Sequence, residues 1–172
     1  MAVCDIVLHP DPVLLRVADA VTDFSPAIDA LAIDLHDTLK AHGGIGLSAP
    51  QIAQSVRMLV LKIDGQPPQV YINPTIVSKE AVGFVQESCL SLPGVSGNVW
   101  RATKITVKAQ NTHGDAFEQQ LTGMSAVCIQ HEIDHLDGIL ITDRFSKIKK
   151  LSMKVSAAFS KRRAAVASKP LN

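Results

Sequence analysis

Apolar positions along the chain fall into two kinds of pattern. Ile28, Leu31, Ala32, Leu35 and Leu39 recur at helical spacing behind Ser25-Pro26, which reads as an N-cap with proline at the first helical position. Gly43-Gly44 ends that run. Short apolar, β-branched stretches follow at Met58–Ile63, Val70–Ile72, Thr75–Val77 and Val82–Val85, then at Lys104–Ala109 and Ala116–Leu121. The turn cluster Asn111-Thr112-His113-Gly114-Asp115 between the last two predicts an antiparallel hairpin. Pro67-Pro68 and Asn73-Pro74 are expected to keep the earlier strands short or at edges, because proline cannot donate to a ladder. A second helix is predicted from about Gly123 to Leu136, with Met124, Val127, Cys128, His131 and His135 down one face. Ile139–Ile141 reads as a brief strand. A third helix starts near Phe145, its stripe being Ile148, Leu151, Val155, Ala158 and Phe159. Helix, then strands, then helices is an α+β order.

Composition narrows the class. The chain has 172 residues, the size of one domain, with 47% hydrophobic and 19% charged residues, enough apolar material for a packed core. Residues 1–172 are therefore expected to form a single domain. No run approaches the ~18 apolar residues of a membrane span, and the N-terminus lacks the basic and apolar regions of a signal or transit peptide. Cys4, Cys89 and Cys128 are three in number and far apart, which is no disulfide framework and fits a reducing cytoplasm. The net charge of +1 hides an asymmetry: all 16 acidic residues precede residue 144, whereas 9 of the 17 Lys and Arg residues follow residue 143. Residues 145–172 thus read as a basic C-terminal helix and tail.

The chemistry concentrates in His131-Glu132-Ile133-Asp134-His135. On a helix, residues four apart face the same way, so both imidazoles can share one metal, with Glu132 placed to handle a proton beside it. Two histidines buried for packing alone would give the same pattern. A catalytic metal of this kind keeps three protein ligands and one open position. The third ligand is not His at position 141, which is Ile141, and no Glu or Cys follows His135. Cys89 and Cys128 remain as soft donors, Cys128 on the same helix as the histidines and Cys89 just after a predicted strand. Gly44-Ile45-Gly46 lacks the lysine and further glycine of a phosphate loop.

Three segments together resemble the signature motifs of the peptide deformylases: Gly44-Ile45-Gly46-Leu47-Ser48-Ala49-Pro50-Gln51, Glu87-Ser88-Cys89-Leu90-Ser91 and Gln130-His131-Glu132-Ile133-Asp134-His135-Leu136. They occur in the family's order and spacing, and Leu8-His9-Pro10 with Leu14-Leu15-Arg16-Val17 is similar to its opening. The resemblance implies mixed, largely antiparallel sheets around a central metal-binding helix, with a C-terminal helix. It implies Cys89, His131 and His135 as ligands of Fe²⁺, for which Zn²⁺, Ni²⁺ or Co²⁺ can substitute. It further implies Glu132 as general acid/base, with Gln51 and the Leu90 N–H as donors to the developing oxyanion. The substrate would be an N-formylmethionyl peptide: Ile45 and Gly46 pair with its backbone, and Ile45, Val85, Met124, Val127 and Cys128 form its methionine pocket, although the last three would equally suit an ordinary buried helix face.

Two positions depart from the pattern. Ser88 stands where the family usually has glycine, which would be strained if the backbone there required positive φ. Ser96 falls where many members carry an arginine that contacts the distal part of the substrate. The basic tail reads either as a solvated helix face or as a phosphate-binding one. The resemblance implies ribosome docking near the nascent-chain exit; a membrane-surface helix is disfavoured because the tail lacks Trp and has few large apolar residues, and no contact with DNA is expected. The alternatives to a deformylase are a related metal-dependent amide hydrolase of altered specificity and a ribosome-binding homologue with weak or lost catalysis.

Overall fold

Helix α1 (Pro26–His42) stops where the sequence places glycine. Gly43 takes the left-handed conformation at φ 68°, and its N–H returns to the Leu39 carbonyl. The structure, a computed structural model, describes residues 3–62 and 67–151. Five strands follow in chain order: β1 (Gly46–Ser48), β2 (Met58–Leu61), β3 (Gln69–Ser88), β4 (Ser96–Gln110) and β5 (Ala116–Thr122). They form one sheet in the order β1-β2-β3-β4-β5, every neighbour antiparallel. Helix α2 (Gly123–Leu136) comes directly after β5, with the bounds its periodicity predicts. The α+β expectation holds. Among the described residues, the one parallel pairing is the isolated bridge Asp19–Val56.

Strand β2 shows how the core is split. Met58 and Val60 pack with Leu35 and Leu39 of α1, whereas Leu59 and Leu61 pack with Ile129, Ile133 and Leu136 of α2. Successive side chains point to opposite faces of a sheet, so the unbroken apolar run 58–61 is what a strand covered on both faces requires. On α2, Ala126, Ile129, Ile133 and Leu136 are spent on this core. The histidines occupy a different face. Gln130 fastens the helix to β4, donating from Nε2 to the Ala102 carbonyl (2.7 Å) and accepting from the Ala102 N–H (3.3 Å).

Three expectations are corrected. The runs Val70–Ile72, Thr75–Val77 and Val82–Val85 are parts of a single 20-residue strand. Asn73-Pro74 does not shorten it, because the missing N–H falls at a register shift between Ile72 and Thr75, where Asn73 adopts φ 50°. The Asn73 side chain secures that bulge: Oδ1 accepts from the Val21 N–H at 2.9 Å, and Nδ2 donates to the Val21 carbonyl at 2.8 Å and to Gln110 at 2.9 Å. The brief strand expected at Ile139–Ile141 is absent. Ile141–Arg144 is instead a helical turn, started by the Leu140 N–H donating to the Asp143 carboxylate at 3.0 Å. The chain is helical again over 147–151, with Ile148 and Leu151 exposed. Val155, Ala158 and Phe159 of the expected C-terminal stripe lie outside the described residues.

Candidate metal centre

Strand β3 and helix α2 meet at the site. Cys89 is the first residue after β3, and His131 and His135 are one turn apart on α2. All three side chains are buried, and their candidate ligand atoms lie within 4.8 Å of one another. Cys89 Sγ is 3.1 Å from His135 Nε2. His131 Nδ1 is engaged by Glu87 Oε2 at 2.9 Å, which leaves its Nε2 as the ligating atom. Of the two cysteines that spacing left open, Cys89 joins the histidines. Burial pushes the Cys128 thiol up to about 12, so that residue stays a neutral thiol.

The electrostatics suit a cation. Burial holds His135 down at about 3, so the ring is neutral as a ligand must be. Burial also opposes charge on His131, but its contacts with Cys89 and Glu87, and the nearby Glu132 carboxylate, outweigh burial and raise it to about 10. Surroundings that favour positive charge on a buried ring favour a bound metal ion for the same reason. Burial also raises the Glu87 carboxyl, yet hydrogen bonds from His131 and Arg101 hold it at about 2.

The side chains around this centre have set orientations. Gln51 sits in the 3₁₀ turn Ala49–Ile52, and its Oε1 accepts from both the N–H and the hydroxyl of Ser48 at 2.9 Å. With the oxygen so occupied, Nε2 points to Ser91 Oγ (3.3 Å) and Cys89 Sγ (3.8 Å). The amide therefore offers a donor to the site. Glu132 lies against Gly46, where an added Cβ would stand 2.7 Å from Glu132 Oε1. Its carboxyl is fully buried, Oε2 has no hydrogen-bond partner among the described residues, and burial raises it to about 7.

A cleft of about 400 Å³ opens onto this centre. It is lined by Ile45 and Gly46, by Gln86, Ser88 and Leu90, and by Met124, Val127 and Cys128, together with Gln51, Cys89, His131 and Glu132. Val85 is not in the lining; β3 presents Gln86, Glu87 and Ser88 there instead. Ser88 carries no strain, since it is absent from the positive-φ positions and pairs in extended register with Ser96. The two departures from the motif thus face each other across β3 and β4.

Sequence reasoning assigned no role to Ser48, Glu87, Arg101 or Asp134. Ser48 and Glu87 lie inside quoted motifs but carry no ligand spacing. Arg101 is 5% exposed and joins Glu87 to Asp134, a burial visible only in three dimensions.

Comparison with known proteins agrees. The polypeptide deformylase family model matches residues 3–151. The peptide deformylase of Desulforudis audaxviator is 44% identical over 151 residues, covering 87% of this chain and 98% of that one. That of Alkalilimnicola ehrlichii is 41% identical, covering 87% of this chain and 86% of the relative. Among solved structures, the Thermus thermophilus peptide deformylase superposes with TM-score 0.86 at 41% identity over 91% of this chain and 94% of its own. The Legionella pneumophila enzyme gives 0.84 at 38% over 98% and 100%. Matched by the family model over residues 3–151 and 41–44% identical to such relatives over most of its length, the chain belongs to the peptide deformylase family.

Proposed function

We propose that Cys89, His131 and His135 hold a divalent metal at which this chain carries out the family's reaction. That reaction is hydrolysis of the formyl group from N-formylmethionyl nascent peptides, giving formate and a free amine. The observation that carries the assignment is the convergence of the three buried ligands beside the buried carboxyl of Glu132. A metal in this donor set acts as a Lewis acid and lowers the pKa of water toward ~7. One thiolate and two imidazoles suit zinc as well as iron; Fe²⁺ is proposed from the family resemblance.

Glu132 takes the proton from the attacking water and returns it to the leaving amine nitrogen. Burial raises its carboxyl, which favours holding the proton it must carry. Gln51 Nε2, held by Ser48, and the Leu90 N–H donate to the formyl oxygen as charge builds there, each worth roughly 10²–10³ in rate by analogy with other oxyanion holes. Ile45 and Gly46 at the start of β1 pair with the extended peptide. Met124, Val127 and Cys128 form the apolar wall for the methionine side chain, and Ser88 lines the same cleft.

We place the enzyme in the cytoplasm, as one domain, with its basic C-terminal segment docking on ribosomal RNA or protein. Most of that segment lies outside the described residues, and the reading rests on its charge. No helix among the described residues is long and apolar enough to cross a membrane. Salt-sensitive cosedimentation with ribosomes, lost on reversing the charges of Lys147, Lys150 and Lys154, is expected; salt-independent or absent binding refutes the docking.

The direct test of the activity is formate release from a formyl-Met-Ala peptide by anaerobically purified, Fe²⁺-loaded protein. Release is expected, lost in Glu132→Ala and absent with an acetylated peptide. No release from fully metallated protein overturns the assignment.

A further inference from the structure

Four charged residues that no catalytic role accounts for form one continuous chain through the interior. Glu87, at the end of β3, meets Arg101 of β4 with both oxygens: Arg101 Nε donates to Oε1 at 2.7 Å and Nη2 to Oε2 at 3.1 Å. Arg101 Nη1 donates to Asp134 Oδ2 on α2 at 2.7 Å. Arg144, in the helical turn after α2, closes on the same carboxylate, from Nη2 to Oδ1 at 2.6 Å and from Nε to Oδ2 at 3.0 Å. At the other end Glu87 Oε2 accepts from His131 Nδ1. Glu87, Arg101 and Asp134 have side chains less than 10% exposed, whereas Arg144 is 44% exposed.

Two carboxylates and two guanidiniums balance within the chain, and His131 Nδ1 meets Glu87 Oε2 at its end. Planar two-point pairing at both Arg101–Glu87 and Arg144–Asp134 passes orientation as well as charge, since each fork permits one relative geometry. We infer that Arg144 is a positioning residue for the metal ligand His131, acting through Asp134, Arg101 and Glu87. The inference rests on the assignment of Cys89, His131 and His135 as ligands.

The chain can be tested at its exposed end. Removing an interior member leaves a buried charge unpaired and endangers the fold. Arg144 can be replaced because water reaches it. Without it, Asp134 keeps only its single bond from Arg101 and is free to rotate, and the Arg101–Glu87 fork loses its fixed end. A purely structural role would instead confine Arg144 to pinning the turn 141–144 against α2. Arg57 supplies the control: its Nη1 pairs with Asp137 Oδ1 at 2.7 Å beyond the end of the same helix, and none of its hydrogen bonds reaches Glu87 or Asp134.

The experiment compares wild type, Arg144→Ala, Arg144→Lys and Arg57→Ala in the full chain, loaded with Co²⁺. It reads cobalt affinity by chelator competition, the visible ligand-field absorption of the bound cobalt, and kcat and KM on a formyl-Met-Ala peptide. A lost support for a metal ligand typically costs about 10–100-fold in affinity. Arg144→Ala is expected near the low end of that range, with a shifted cobalt spectrum and a kcat that falls more than KM changes. Arg144→Lys keeps charge without the fork and lies between, which also serves if the alanine variant is too unstable to purify. Arg57→Ala should melt earlier yet keep the wild-type spectrum and affinity. Wild-type affinity and spectrum in both Arg144 variants overturn the inference. A wild type that binds cobalt without a thiolate-to-metal band overturns the ligand assignment itself, and the inference with it.

Discussion

Gly46→Ala tests the catalytic assignment with a single methyl group. The added Cβ would stand 2.7 Å from Glu132 Oε1 and 2.8 Å from its Cγ. Ordinary contact begins near 3.4 Å, so the Glu132 side chain must retreat by about 0.7 Å. Gly46 has no positive φ and lies in β1 opposite Leu61, so alanine suits its backbone and the whole effect is steric. Glu132 is 4% exposed on a helix whose histidines contact Cys89 and Glu87, so its retreat must be into the cleft it lines, away from its place beside them. Overpacking of this kind costs about 1–3 kcal/mol, a loss of several degrees in Tm for a domain of this size. A catalytic group displaced by about 1 Å loses on the order of 10² in rate. With metal content matched to wild type, kcat on a formyl-Met-Ala peptide is therefore expected to fall about 100-fold. Glu132→Ala removes both contacting atoms, so adding Gly46→Ala to that variant should cost much less stability than it costs wild type. A Gly46→Ala enzyme with kcat within about threefold of wild type would refute the placement of Glu132 as the proton carrier.

The remaining predictions concern the supports. Ser88→Gly should leave activity near wild type and lower stability by about 0.5–1 kcal/mol, because Ser88 is already extended and glycine only loosens the unfolded chain; a gain in stability on urea unfolding would contradict this. Glu87 is lowered from 4.5 to about 2, so its charge contributes stability that is fully present above about pH 4.5 and lost as pH falls through about 2. Glu87→Gln cannot ionise, and the gap in stability between it and wild type should be widest near neutrality and close toward pH 2; a gap independent of pH would refute the pairing. Asn73→Ala removes the hydrogen bonds to Val21 and Gln110 at φ 50°, and urea denaturation should show a loss of about 2–3 kcal/mol; a loss under 1 kcal/mol would show that the bulge holds without it.

What could be read from the sequence depended on whether a feature repeats locally. Both long helices were legible because their apolar positions recur every three or four residues and their ends carry Pro26, Gly43 and Gly123. Strand β3 reads as separate pieces because Asn73-Pro74 is a local stop signal, which the ladder absorbs as a bulge in β3 opposite Gln110–Lys108. Strand β1 is three residues long, and nothing marks it but its pairing with β2. Ile139–Ile141 has the residues of a strand but pairs with none among the described residues, and Asp143 caps a helical turn there instead.

The same rule divides the site. His131, Glu132 and His135 are a local period, and the motif resemblance supplied Cys89 and Gln51 from elsewhere in the chain. The residues that aim them are linked over 14, 33 and 44 positions, from Arg101 to Glu87, from Arg101 to Asp134 and from His131 to Glu87. A charged residue in a strand reads as solvent-facing by default. Here charge is buried because it is balanced, and it is balanced because four elements bring two acids and two arginines to one line ending on His131. Arginine is needed at position 101 since lysine could not hold Glu87 by two bonds and Asp134 by a third in a fixed plane. The ligands are thus legible as chemistry, whereas their aim is a property of the packing between β3, β4 and α2. Variants of those packing residues should therefore show altered metal binding and proton transfer before the ligand set itself is changed.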